Sequence, residues 1–217
     1  MRRVAALAPA ALLALLVIAQ LALPVLAAQR LRDRLGASGR VLAVEVHAFP
    51  AVELLWHHAD RVVIRLAQYR SSSGHLGGVL AQTAEVGSLD ASAGELDTGL
   101  LTLRDVALHK RGAELTASAR VAQADVRAAL PLLQSVQPVA SGDGALILRG
   151  TATLLGVSAS IDATLAASQG RLVVAPDIPF GALATITVFA NPRLYVQGVG
   201  ASTVPGGFSV FAQGRLR

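Results

Sequence analysis

The chain predicts an α+β fold in which a curved, mostly antiparallel β-sheet wraps one or two short helices. Three observations carry this. Apolar and polar residues alternate with period two in segment after segment from Gly39 to the C-terminus. Alanine and glycine recur inside those segments, and small side chains let a sheet curve closely around a helix or a ligand. Helical periodicity is confined to short stretches between the strands.

The N-terminal stretch is of a different kind. Arg2 and Arg3 are followed by no charge until Arg30, and Val4–Ala28 is an Ala/Leu/Val run broken by Gln20 and two prolines. A basic start, an apolar core and a small-residue exit describe an export segment. Val25 and Ala27 suit the −3 and −1 positions of a processing site, and Pro24 is expected to end the helix before them. Cleavage would then follow Ala27 or Ala28. The run is also long enough to stay as a membrane anchor, since about 20 apolar residues span a bilayer. Residues 1–28 are thus a signal peptide or an anchor, and residues 29–217 a single β-rich domain placed outside the cytoplasmic membrane.

Residues 29–38 read as a short charged helix ending at Gly36. In 40–48, Leu42, Val44 and Val46 share one face, with Glu45 and His47 on the other. Pro50 opens a helical stretch over 50–59, as proline suits a first helical turn. A strand follows at 61–69, with Val62, Ile64 and Leu66 on one side and Arg65 on the other. Residues 70–78 form a Ser/Gly loop, followed by weak strands at 79–87 and 88–96. Leu100–His109 is a strand bulged near Asp105, and 113–121 another. Gln123–Gln134 is a helix whose apolar stripe is Val126, Ala129, Leu130 and Leu133, with Pro131 inside or ending it. Ser141-Gly-Asp-Gly is a turn. Strands then run at 145–153, 156–167, 171–175, 184–190, 193–200 and 207–215, punctuated by Asn191-Pro192 and Pro205-Gly206-Gly207.

Composition removes several function classes. The chain has 217 residues, 53% hydrophobic and 15% charged, with a formal charge of +5. The positive charges are mild and scattered, which argues against a nucleic-acid partner. With no cysteine there are no disulfides, thiolate ligands or cysteine nucleophiles. Glu53, His57 and His58 are the nearest approach to a metal or acid–base cluster, but they lack an HExxH pattern and read as a solvated helix face. His47 and His75 are isolated. Gly156-Val-Ser-Ala-Ser160 lacks the second glycine of a nucleophile elbow. Ser71–Gly78 lacks the GK[ST] ending of a phosphate loop. No cofactor, metal or catalytic residue is expected.

The more informative grouping is apolar. Phe49, Val52, Leu55 and Trp56 put the single tryptophan and a phenylalanine on one short stretch. Such a helix packs on the sheet, or serves as the mouth of an acyl-chain site or an interfacial anchor. Tryptophan, with its apolar body and polar N–H, suits either functional role.

These features together resemble a known family. Val44-Glu-Val-His-Ala-Phe49-Pro50-Ala-Val-Glu-Leu54-Leu55 is similar to the strand, aromatic/proline corner and "LL" helix of the LmeA-type phospholipid-binding proteins of actinobacterial cell envelopes. Arg61–Leu66, Leu103–Leu108 and Ala119–Leu130 resemble that family's later strands and strand-to-helix step. Here Phe49 precedes Pro50 where the family usually has the reverse order, and Trp56-His57-His58 stands where a glycine is common. The resemblance implies an elongated apolar cavity under the sheet, phospholipid or a membrane surface as partner, and no catalysis. Ile64 is then expected to line the acyl site beside Phe49, Val52, Leu55 and Trp56, with Arg61 and Arg65 near the head-group phosphate. The alternative is an anchored module with a solid core and a protein partner in the envelope. An exported hydrolase is a third reading, and needs a histidine near both an acid and a hydroxyl.

Overall fold

The computed structural model describes residues 20, 22–51, 54, 58–71, 83, 85–99, 101–129, 135–154, 157–177 and 185–216. Twelve strands and two short helices are placed within them. A helix over 22–36 (α1) leads into β1 (Gly39–His47), β2 (Ala59–Arg70), β3 (Val86–Asp97), β4 (Thr102–Arg111) and β5 (Glu114–Ala122). Helix α2 (Gln123–Ala129) links these to β6 (Ser135–Gly142), β7 (Ala145–Leu154), β8 (Val157–Ser168), β9 (Arg171–Pro176) and β10 (Ile186–Phe189). The chain ends in β11 (Leu194–Val204) and β12 (Gly207–Leu216).

The strands form two sheets. The larger has the order β1-β2-β3-β4-β5-β12-β11, and the smaller is the meander β10-β9-β8-β7-β6. All described pairings are antiparallel except β2 with β3, which run parallel. Parallel neighbours need a long connection, and the Ser/Gly-rich stretch between Arg70 and Val86 supplies it. The expected bulge is present: the β4–β5 register shifts between Arg104 and Ala107, and Asp105 has φ 49°.

One face of the large sheet, the inner face, receives both covers. Register places Ile64, Ala91, Leu108, Ala117, Ala212 and Val199 in one row across β2, β3, β4, β5, β12 and β11. Over the β1–β3 end of that face lies α1. Its Ala27, Ala28, Leu31 and Leu35, at helical spacing, pack on Val44, Val46, Val62 and Leu89. Over the β11–β12 end lies the small sheet, where Leu146, Leu148 and Leu165 meet Val196, Val199, Ala201 and Val210. Across β3, β4 and β5 the inner face carries Ala91 and Ala93, then Leu108 and Val106, then Ala117 and Ala119, with Ala91 and Leu108 packed in the α1-covered cluster.

The two sheets are joined through main-chain groups. Val199 N–H donates to the Gly144 carbonyl (3.0 Å) in the β6–β7 turn, and Val196 N–H to the Gly170 carbonyl (3.1 Å) in the β8–β9 turn. Both donors lie on the edge of β11 away from β12. A bulge between Val196 and Gly198 puts these two residues, three apart, in the same outward phase. Ser141 Oγ accepts from Ala201 N–H (3.2 Å) further along. Gly170 has φ +77°, and a Cβ there would run into the Tyr195 ring.

Three expectations are corrected. Pro24 does not end a helix: α1 runs through it to Gly36, so the exit of the apolar run and the charged segment after it are one element. Packing of Ala27, Ala28, Leu31 and Leu35 holds that element together across the change in composition. The strands read at 79–87 and 88–96 give one continuous strand from Val86 to Asp97, with residues 79–82 outside the described set. Residues 135–142, unassigned in the sequence, form β6. Its Pro138 is tolerated because β6 is an edge strand of the small sheet. Helix α2 is described to Ala129, with Leu130–Gln134 outside the described residues.

Two substitutions test this architecture by chemical denaturation. Leu89→Ala, at a side chain 3% exposed in the α1-covered core, is expected to cost about 2–4 kcal/mol. A cost no greater than that of an exposed substitution would move the core elsewhere. Gly170→Ala is expected to cost about 1–2 kcal/mol from the left-handed backbone alone. Unchanged stability would show that the turn does not fix the joint.

Candidate functional site

The inner face and outer face of the large sheet divide the candidate residues between them. Ile64 is half-buried on the inner face and packs on the core beneath α1. Arg61 and Arg65, one position out of phase, are exposed on the outer face. Strand periodicity dictates this split, since successive side chains point to opposite faces. Phe49 stands at the corner after β1, 79% exposed, with its N–H donating to Asp60 Oδ2 (2.7 Å) and a cis bond to Pro50. Val52, Leu55 and Trp56 lie outside the described residues, as do Glu53, His57 and His75. Among the described residues no group of three or more His, Cys, Asp or Glu side chains is placed to hold a metal ion.

The structure brings together a polar cluster that sequence reading missed. Asp90 on β3 accepts from Arg61 Nη2 on β2 (2.9 Å) and from His109 Nδ1 on β4 (2.9 Å), and Arg111 Nη1 lies 3.2 Å from it. The registers Asp90↔His109, Ser88↔Arg111 and Arg61↔Ser88 put these groups on one face at one end of the sheet. A carboxylate can only accept, so the facing imidazole nitrogen carries the proton. The hydrogen bond from His109 is the largest cause pulling the Asp90 carboxyl from 3.8 to about 2, with Arg111 and Arg61 adding to it against partial desolvation. One carboxylate thus faces two guanidinium groups, and the cluster keeps a net positive charge.

Lys110, beside this cluster in sequence, faces the other way. It is buried on the inner face in the row Val62, Leu89, Lys110, Leu115, and its Nζ donates to the Val86 carbonyl. Burial depresses its ammonium pKa. A groove of about 500 Å³ separates α1 from the outer edge of β1, lined by Pro24, Val25 and Ala28 against Val44 and Val46, with Arg32, Asp33, Glu45 and His47 at its rim.

A carboxyl depressed in the folded state stabilises the fold above its ordinary value of 3.8, and that contribution disappears as pH falls through about 2. Asp90→Asn is therefore expected to melt below the wild type at pH 7, with the gap closing between pH 4 and 2. Thermal unfolding across that range checks this. A gap that persists undiminished at the acid end would show that the loss is not electrostatic.

No curated protein and no solved structure matches the chain. A family model described as LmeA-like phospholipid-binding matches residues 13–207, nearly the whole chain. The protein therefore belongs to the LmeA-like phospholipid-binding family.

Proposed function

We propose that this protein binds phospholipid by its acyl chains, outside the cytoplasmic membrane, and carries out no catalysis. The observation that carries the reading is the inner-face strip between α1 and the small sheet. Ala91 and Ala93 on β3 and Ala117 and Ala119 on β5 are short side chains on either side of Val106 and Leu108 of β4, and the leucines and valines of the two core clusters flank them. In this reading a hydrocarbon chain lies along these alanines beside Val106 and Leu108, and each methylene buried is worth about 0.8 kcal/mol. Two acyl chains then supply ample affinity with no specific polar contact. Family membership supports the ligand class. The basic, then apolar, N-terminal sequence supports the compartment.

In this reading Ile64 is an acyl contact at the α1 side of the strip. Val52, Leu55 and Trp56 follow the Phe49 corner in sequence and are assigned to the mouth. Arg61 and Arg65 lie on the opposite face from the acyl chains, so they touch head groups only from outside the cavity.

Native mass spectrometry and lipid extraction of the chain purified from a bacterial host test this. Co-purifying phospholipid is expected, together with uptake of a fluorescent lipid. Ala117→Trp is expected to keep far-UV circular dichroism while lowering uptake about tenfold or more, because losing two buried methylenes is worth about 1.6 kcal/mol. A wild-type chain that yields no lipid and takes none up overturns the reading. An Ala117→Trp chain that unfolds would identify the strip as a filled core.

A further inference from the structure

The end of the large sheet formed by the close of β1, the start of β2 and the close of β4 has an unusual surface. Phe49 is 79% exposed at its tip, and Val25 and Leu26 on α1 are 63% and 51% exposed. Phe49 and Val25 lie at the same end of the sheet, and Leu26 follows Val25 on α1. Ala51 N–H donates to Gln20 Oε1 (2.8 Å), which brings the start of the described helix against the Phe49 corner, and Val25 lines a groove with Val46 and His47.

Beside this apolar tip is the cationic cluster. Phe49 N–H is held by Asp60, the neighbour of Arg61, and Arg61 joins Arg111 on Asp90. Exposed aromatic and aliphatic side chains next to incompletely neutralised arginines match an anionic bilayer surface, with its apolar interior and its phosphates. The sequence that enters the domain at this end is apolar. The residues preceding Gln20 are the apolar run Val4–Ala19, headed by Arg2 and Arg3. That run joins the domain at this end, through a helix whose Ala27 and Ala28 are packed in the core.

We propose that, in the chain that keeps its N-terminal run as an anchor, this end of the sheet is a docking face for an anionic phospholipid bilayer, with Phe49, Val25 and Leu26 entering the interface and Arg61 and Arg111 facing lipid phosphate. The face deepens the lipid-binding reading by fixing where the protein meets its source of ligand, but it stands on different residues from the acyl strip.

The absence of cysteine permits single-site labelling of the full chain. An environment-sensitive fluorophore is placed at Leu26→Cys, and separately at Thr203→Cys at the opposite end of the sheet. The labelled chains are reconstituted in vesicles of phosphatidylcholine with or without phosphatidylglycerol. The position-26 label is expected to shift to the blue and to be quenched by lipid-borne nitroxide, more strongly with phosphatidylglycerol, while the position-203 label stays accessible to an aqueous quencher. Phe49→Ser in the Leu26→Cys chain is expected to reduce the shift. Arg61→Ser with Arg111→Ser is expected to abolish the phosphatidylglycerol dependence. Equal aqueous quenching at positions 26 and 203 overturns the proposal. Fluorescent-lipid uptake, measured on the same chains, separates the two readings: uptake without interfacial labelling sinks the docking face alone, and interfacial labelling without uptake sinks the acyl site alone.

Discussion

An open sheet with one apolar face must have that face covered, and in this protein everything else follows from how the covering is done. With no cysteine in the chain, burial and hydrogen bonding hold the covers in place. Among the described residues neither cover spans the sheet. Helix α1 takes the β1–β3 end and the small sheet the β11–β12 end, each with its own core cluster. Between the two clusters, β3 to β5 carry alanines on either side of Val106 and Leu108, an apolar stretch of the inner face.

The same strand periodicity that makes the inner face apolar makes the outer face a row of cross-strand ion pairs. Asp90 gathers Arg61, His109 and Arg111 across three strands, and Arg120 meets Asp105 at 3.1 Å further along. Apolar and charged side chains are thereby separated onto the two faces of the sheet. Arg61 shows the consequence. In a linear reading it sits three residues from Ile64, within one short segment. In the fold it is turned away from Ile64 by the pleat and committed to a carboxylate on the next strand.

The strands were the most legible part of the sequence, because alternation is a local signal. Val44/Val46, Val62/Ile64 and the bulge at Asp105 needed no tertiary information. Helix α1 was misread because the sequence changes from apolar to charged at Arg30 while the backbone does not change at all. A composition boundary is a statement about solvent and lipid, and helix continuity is a statement about packing. Strand β6 was hidden by Pro138, which argues against a strand unless the strand lies at an edge. The Asp90 cluster was illegible for another reason. Its four members are spread from position 61 to position 111, and only the parallel β2–β3 register and the antiparallel β3–β4 register bring them into contact. Ile64 and Arg61 could be assigned faces from sequence; their partners could not.

The joint between the two sheets has a consequence of its own. It is made where peptide N–H groups of β11 meet peptide carbonyls of Gly144 and Gly170, groups that every residue type carries. Side chains on either sheet can therefore drift in size and chemistry while the angle between the sheets stays set, provided the two turns keep their glycines. The same contacts occupy hydrogen-bonding positions along the β11 edge of the large sheet, at Val196, Val199 and Ala201. The inner-face side chains can thus be retuned residue by residue while the joint that sets the two sheets against each other is kept.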